Sequence, residues 1–110
     1  MGHRRASDMI AYLSGPMTGW PHHNHPAFEA AAKRLRAQGV QVISPHEITP
    51  PTNGPWSWQE HMRIDLAALL TCEVIVMLPG WQQSRGAQLE KTVAEAIGLR
   101  IVYYTLTETL

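Results

Sequence analysis

At 110 residues the chain has room for one domain and one core, and a fold this small often needs a partner subunit to finish a site. Nine basic residues balance nine acidic ones, so no overall field favours nucleic acid or an anionic membrane, although Arg4 and Arg5 make the leading segment locally basic. The single cysteine, Cys72, excludes an internal disulfide framework; with no signal peptide and no apolar run long enough to span a bilayer, the sequence reads as soluble and cytoplasmic.

Met9 to Leu13 is a short apolar run ending at Ser14-Gly15-Pro16, which predicts a strand closed by a Gly/Pro turn. Pro26 suits a first helical turn, and Phe28, Ala31, Ala32 and Leu35 keep the helical period up to a stop at Gly39. Val40 to Ile43 predicts a second strand, closed by Ser44-Pro45-His46, while Ile48 to Pro55 is too rich in Pro, Thr, Asn and Gly to be anything but a surface loop. Trp58, Met62, Leu66, Leu69 and Leu70 form a second helical stripe. Glu73 to Leu78 predicts the third strand, Arg85 to Ile97 a helix stopped by Gly98, and Ile101 to Tyr104 a fourth strand before a short polar tail.

Strands alternating with helices predict an α/β fold, a three-layer doubly wound, flavodoxin-like or Rossmann-like sheet of four parallel strands in the order 2-1-3-4, and a single domain over 1–110. The unbroken apolar run Val74-Ile75-Val76-Met77-Leu78 suits a central strand covered on both faces. A switch point between the first and third strands then brings two loops to one crevice, the one after Leu13 and the one leading to Ser84.

Those loops carry the candidate chemistry. Ser84 is placed to cap the third helix, which puts Glu90 in its second turn, leaning back over Gly86 toward the helix N-terminus, where nothing blocks it and the charged carboxylate is favoured. Such a group can serve as a nucleophile. The same spacing also describes a solvated helix glutamate. Asp65 falls at the margin of the second helical stripe, where partial burial would raise its pKa and suit acid work, unless it simply pairs with His61 or Arg63. Gly15-Pro16-Met17-Thr18-Gly19 offers two glycines and a hydroxyl for a sugar or phosphate, but it has neither the lysine nor the spacing of a P-loop.

His22, His23 and His25 invite a metal reading, yet no Cys/His pair stands at matching zinc-site spacing, so the segment is read as a polar loop and no metal is expected. His46 and His61 are isolated. Of Trp20, Trp56, Trp58 and Trp81, Trp20 and Trp81 are the candidates for stacking a nucleobase; a subunit interface is the other use for such rings. Cys72 has no activating neighbour in sequence and is expected to be buried and inert.

Taken together, Tyr12-Leu13-Ser14-Gly15-Pro16-Met17-Thr18-Gly19, Met62-Arg63-Ile64-Asp65-Leu66 and Leu78-Pro79-Gly80-Trp81 leading to Ser84-Arg85-Gly86-Ala87-Gln88-Leu89-Glu90 resemble the nucleoside 2-deoxyribosyltransferase-like superfamily. Within it they resemble a small group usually described by a domain of unknown function, over about Tyr12 to Tyr104. The resemblance implies that Glu90 attacks the anomeric carbon to give a covalent glycosyl-enzyme, that Asp65 positions the sugar or protonates the departing base, and that Tyr12 stands beside the nucleophile. It further implies that the 15–19 loop binds the sugar and its 5′ substituent. Read from the residues themselves, Trp20 and Trp81 as stacking rings, Gly86 under Glu90, and Ser84 with Arg85 at a helix N-terminus suited to an anion are the other candidates around the ligand.

Enzymes of the superfamily that act on free nucleosides carry an acid where this chain has Ser84, whereas the nucleotide-hydrolysing branch has serine there, against a 5′-phosphate; the same branch has arginine where this chain has Thr18. The implied partners are a small nucleoside or nucleotide and further copies of the chain in a dimer or larger assembly, with no nucleic-acid polymer, membrane or cofactor. A different class of function, a non-catalytic nucleotide-binding sensor or interaction module, would use the same pocket without turnover.

Overall fold

The computed structural model describes residues 9–48 and 54–105. Arg4, Arg5, residues 49–53 of the predicted surface loop and the polar tail from residue 106 lie outside the described residues. Four strands, β1 (Ile10–Ser14), β2 (Gln41–Ile43), β3 (Val74–Met77) and β4 (Arg100–Tyr103), form one parallel sheet in the order β2-β1-β3-β4. Three helices connect them in turn: α1 (His25–Ala37), α2 (Trp58–Leu69) and α3 (Arg85–Ala96). Order and element types agree with the sequence reading, and the ends move by a residue or two.

Side-chain alternation along the strands divides the core in two. Ala11 and Leu13 of β1, with Val74, Val76 and Leu78, pack against Phe28, Ala31, Ala32 and Leu35 of α1. Tyr12, Ile75 and Met77 face the other way, onto Leu69 of α2 and Ala87 and Ala94 of α3. In register, Tyr12 lies beside Ile75 and Ser14 beside Met77, so Tyr12 and Ser14 are neighbours on the α2/α3 face of a central strand. All four β3 residues are buried, as both-face coverage requires.

Both helices on that face start from side-chain caps. Ser57 and Glu60 form a reciprocal capping box at α2, a pattern written in the sequence as Ser-x-x-Glu. Ser84 accepts from the Ala87 amide at 3.1 Å, as its position before α3 predicts. At the opposite end of the sheet, Glu73 supplies a carboxylate oxygen to the Ile10 amide at 2.8 Å, satisfying a backbone donor at the strand's start.

Three short 3-10 turns fill connections read as plain loop: Pro21–Asn24, Pro45–Glu47 and Trp81–Gln83. The first is unusual. His22, His23 and Asn24 all have left-handed backbone, with φ of 52, 53 and 59°, a conformation uncommon for residues with a Cβ. Asn24 is held there by its Nδ2, which donates to the Pro16 carbonyl at 2.9 Å and so ties the turn to the first candidate loop.

Candidate active site

The period of two along β1 sends the Tyr12 and Ser14 hydroxyls toward α3, and Glu90 meets both. Tyr12 donates to Glu90 Oε2 at 2.5 Å and Ser14 donates to Glu90 Oε1 at 2.7 Å. Each carboxylate oxygen keeps a lone pair beyond these bonds. Glu90 is only 4% exposed, and Tyr12 and Ser14 are fully buried.

This placement corrects the sequence reading of Glu90 as a carboxylate favoured in its charged form. Burial dominates and lifts its pKa to about 7, the Tyr12 and Ser14 hydrogen bonds pull in the opposite direction, and the nearby Asp65 charge adds to the rise. The helix N-terminus does not set its environment, because Glu90 turns inward to the strand. The space over Gly86 is also taken: a Cβ there would come within 3.2 Å of Met62 Sδ and 3.8 Å of Trp58 Nε1.

Asp65 is half-buried on α2, and burial raises its pKa to about 6, with His61 drawing it part of the way back. Tyr12 is driven well above its ordinary pKa, first by burial and then by Glu90 and Asp65, which keeps it a proton donor throughout the physiological range. The three acids therefore share one electrostatic environment on the α2/α3 face. In it a carboxyl can exist in either protonation state near neutrality, which suits both attack and proton donation.

The loops at the sheet's C-terminal edge lock together. A Cβ on Gly15 would come within 2.9 Å of Leu78 Cβ, so β1's turn can pass β3 only with glycine there. Gly80 has φ of 90°, and a Cβ on it would meet Trp20 Cζ2 at 2.9 Å and Pro16 Cγ at 3.1 Å. Trp20 thus seats one ring edge on the Gly80 backbone while remaining 40% exposed. Thr18 and Gly19 are exposed, and Met17 packs against the α1-side core.

Trp81 packs against the core on the α2/α3 side, with Tyr103 at 5.9 Å between ring centroids and the Lys91 ammonium 5.4 Å from its own. Trp58, read in sequence as part of a packing stripe, has the Arg85 guanidinium 3.6 Å from its ring centroid. Helical spacing could have flagged it: Trp58, Met62 and Asp65 lie on one face of α2. Ser14 was legible too, two residues beyond Tyr12 on the same strand.

The remaining candidates gather elsewhere. His25 and His46 approach to 5.6 Å between ring centroids, and His46 Nδ1 is hydrogen-bonded to the buried Ser44 hydroxyl. Burial lowers the His46 pKa. Among the described residues, no group of three or more His, Cys, Asp or Glu is arranged to hold a metal ion, and no helix is long and apolar enough to cross a membrane. Cys72 is buried, its thiol bonded to the Ala68 carbonyl at 3.4 Å and its pKa raised by that burial.

A family model described as a domain of unknown function, DUF4406, matches residues 9–103. Among solved structures, a 2-deoxyribosyltransferase from Bacillus psychrosaccharolyticus matches with a TM-score of 0.70 at 18% identity, covering 92% of this chain and 75% of that one. No curated protein matches the sequence. At that identity the structural likeness establishes a shared fold, which is the one the sequence motifs imply.

Proposed function

Since the chain belongs to the DUF4406 domain family and has the fold of a 2-deoxyribosyltransferase, we propose that it cleaves or transfers the N-glycosidic bond of a nucleoside or its 5′-monophosphate. The observation that carries this reading is the buried Glu90 carboxylate held on both oxygens by Tyr12 and Ser14, with Asp65 in its field.

In the proposed reaction an oxygen of ionised Glu90 attacks the anomeric carbon. The carbon–nitrogen bond breaks and the base departs with the electron pair, taking a proton from Asp65. Water or a second base then displaces Glu90 from the sugar and returns a proton to the Asp65 carboxylate. The two hydroxyls orient the nucleophile and lower its pKa, which keeps an ionised fraction available in a site whose burial works against it.

Ser84, Arg85 and the 15–19 loop line the sheet edge where the sugar and a 5′-phosphate would lie, and no metal or other cofactor is required by the scheme. A second copy of the chain completing the pocket belongs to the same proposal, as does a cytoplasmic setting.

Incubation with common nucleosides and their 5′-monophosphates, followed by chromatography for free base, tests the reading. Base should be released by the unmodified protein and not by Glu90→Ala. The near-complete burial of Glu90 favours one other reading, a nucleotide-binding module that does not turn over. That module would bind nucleotides saturably and release no base.

A further inference from the structure

Arg85 is the first residue of α3 and Trp58 the first of α2, and the two meet where both helices begin, with the guanidinium carbon over the indole at 3.6 Å from its centroid. Trp58 Nε1 also lies near the Gly86 backbone, so the indole spans from α2 to α3. Helix geometry places this contact outward of the acids. Asp65 follows Trp58 by about 10 Å along α2, and Glu90 follows Gly86 by about 6 Å along α3.

A stacked guanidinium uses its π face for the aromatic ring, while its N–H bonds lie in the guanidinium plane and point outward from the edge. Stacking on Trp58 therefore leaves the fork that recognises a phosphate open. It also removes rotamer freedom that an exposed arginine would otherwise lose on binding.

We infer that Trp58 is a positioning residue for anion recognition, holding Arg85 at the mouth of the site so that the protein selects a 5′-monophosphate over the free nucleoside. The inference rests on the function proposed above. Trp58 need not touch the substrate. It acts through Arg85, and its contribution should fall on phosphorylated ligands alone.

The experiment compares binding of 2′-deoxynucleosides and their 5′-monophosphates, by calorimetry, to the unmodified protein, Trp58→Phe, Trp58→Leu, Arg85→Ala and the Trp58→Leu/Arg85→Ala double variant, with thermal melts as fold controls. Trp58→Leu should weaken monophosphate binding by roughly 3- to 10-fold and leave nucleoside binding unchanged. Trp58→Phe, which keeps a ring under the guanidinium, should restore much of the loss. The double variant should be no weaker than Arg85→Ala, because the tryptophan has nothing left to position.

Equal weakening of nucleoside and monophosphate by Trp58→Leu would overturn the inference and make Trp58 a contact for the base or sugar. Additive losses in the double variant would overturn it as well, and so would a Phe variant as weak as the Leu one. If the unmodified protein binds neither ligand and releases no base, the proposed function itself fails and this inference with it. Base release with the wrong variant pattern removes the inference alone.

Discussion

Replacing Glu90 with glutamine should change how stability depends on pH, and the structure sets both sign and size. The Glu90 carboxyl has its pKa near 7 in the folded protein against an ordinary value of 4.5. Between those values the folded state keeps a proton that the unfolded chain has released, so raising the pH favours unfolding. The stability linked to the protonated form is present in full below about 4.5 and is lost as the pH climbs through about 7.

Linkage puts the loss at roughly 2–3 kcal/mol between pH 5 and pH 8 for this one group. In a domain of this size that is on the order of 10 °C in melting temperature. Glu90→Gln keeps the shape and removes the titration. The difference in stability between the two proteins should thus shift in the variant's favour by that amount as pH rises, while activity is lost. Asp65, with its pKa at about 6, pulls in the same direction in both proteins, and the exposed Arg36–Glu47 pair is common to both, so the comparison isolates Glu90. Denaturant melts at a series of pH values measure it. A difference that stays constant from pH 5 to pH 8, or moves toward the wild type, would refute the account of Glu90 as a buried carboxyl with a raised pKa.

Tyr12→Phe strips one hydrogen bond from Glu90 Oε2; it should cost about 1–3 kcal/mol in a chemical melt and push the acidic limb of any pH–rate profile to higher pH. Asp65→Asn should lower base release by roughly 10²-fold or more and remove the alkaline limb of that profile. With Asp65 near 6 and Glu90 near 7, the productive state has the lower-pKa group protonated and the higher one ionised, so the wild-type optimum should be a narrow bell between those two values. Gly80→Ala meets both a left-handed backbone and the Trp20 ring; a loss of about 1–3 kcal/mol and a red shift in tryptophan emission should accompany it.

The sheet order was legible because each strand is a short apolar run closed by Gly or Pro and each helix keeps its own period. Glu90, Asp65 and Tyr12 could be picked out as candidates from their motifs, and the structure brings them onto one face. The protonation state of Glu90 could not be read in advance. Helix position alone says the carboxylate leans toward a solvated N-terminus, whereas its actual environment depends on Met62 and Trp58 covering Gly86 and on two hydroxyls from a strand 76 and 78 residues earlier. The left-handed turn at His22–Asn24 was illegible for a similar reason, since Asn24's bond to the Pro16 carbonyl is a tertiary contact.

One consequence of β1 concerns how this chain can evolve. Its alternation serves two masters: Ala11 and Leu13 fill the layer under α1, while Tyr12 and Ser14 grip Glu90 on the opposite side. Inserting or deleting a single residue in that strand would drive both hydroxyls into the α1 layer and turn the two aliphatic side chains toward the carboxylate. Scaffold and candidate site would fail in the same event. The spacing within β1 is therefore closed to drift by insertion or deletion.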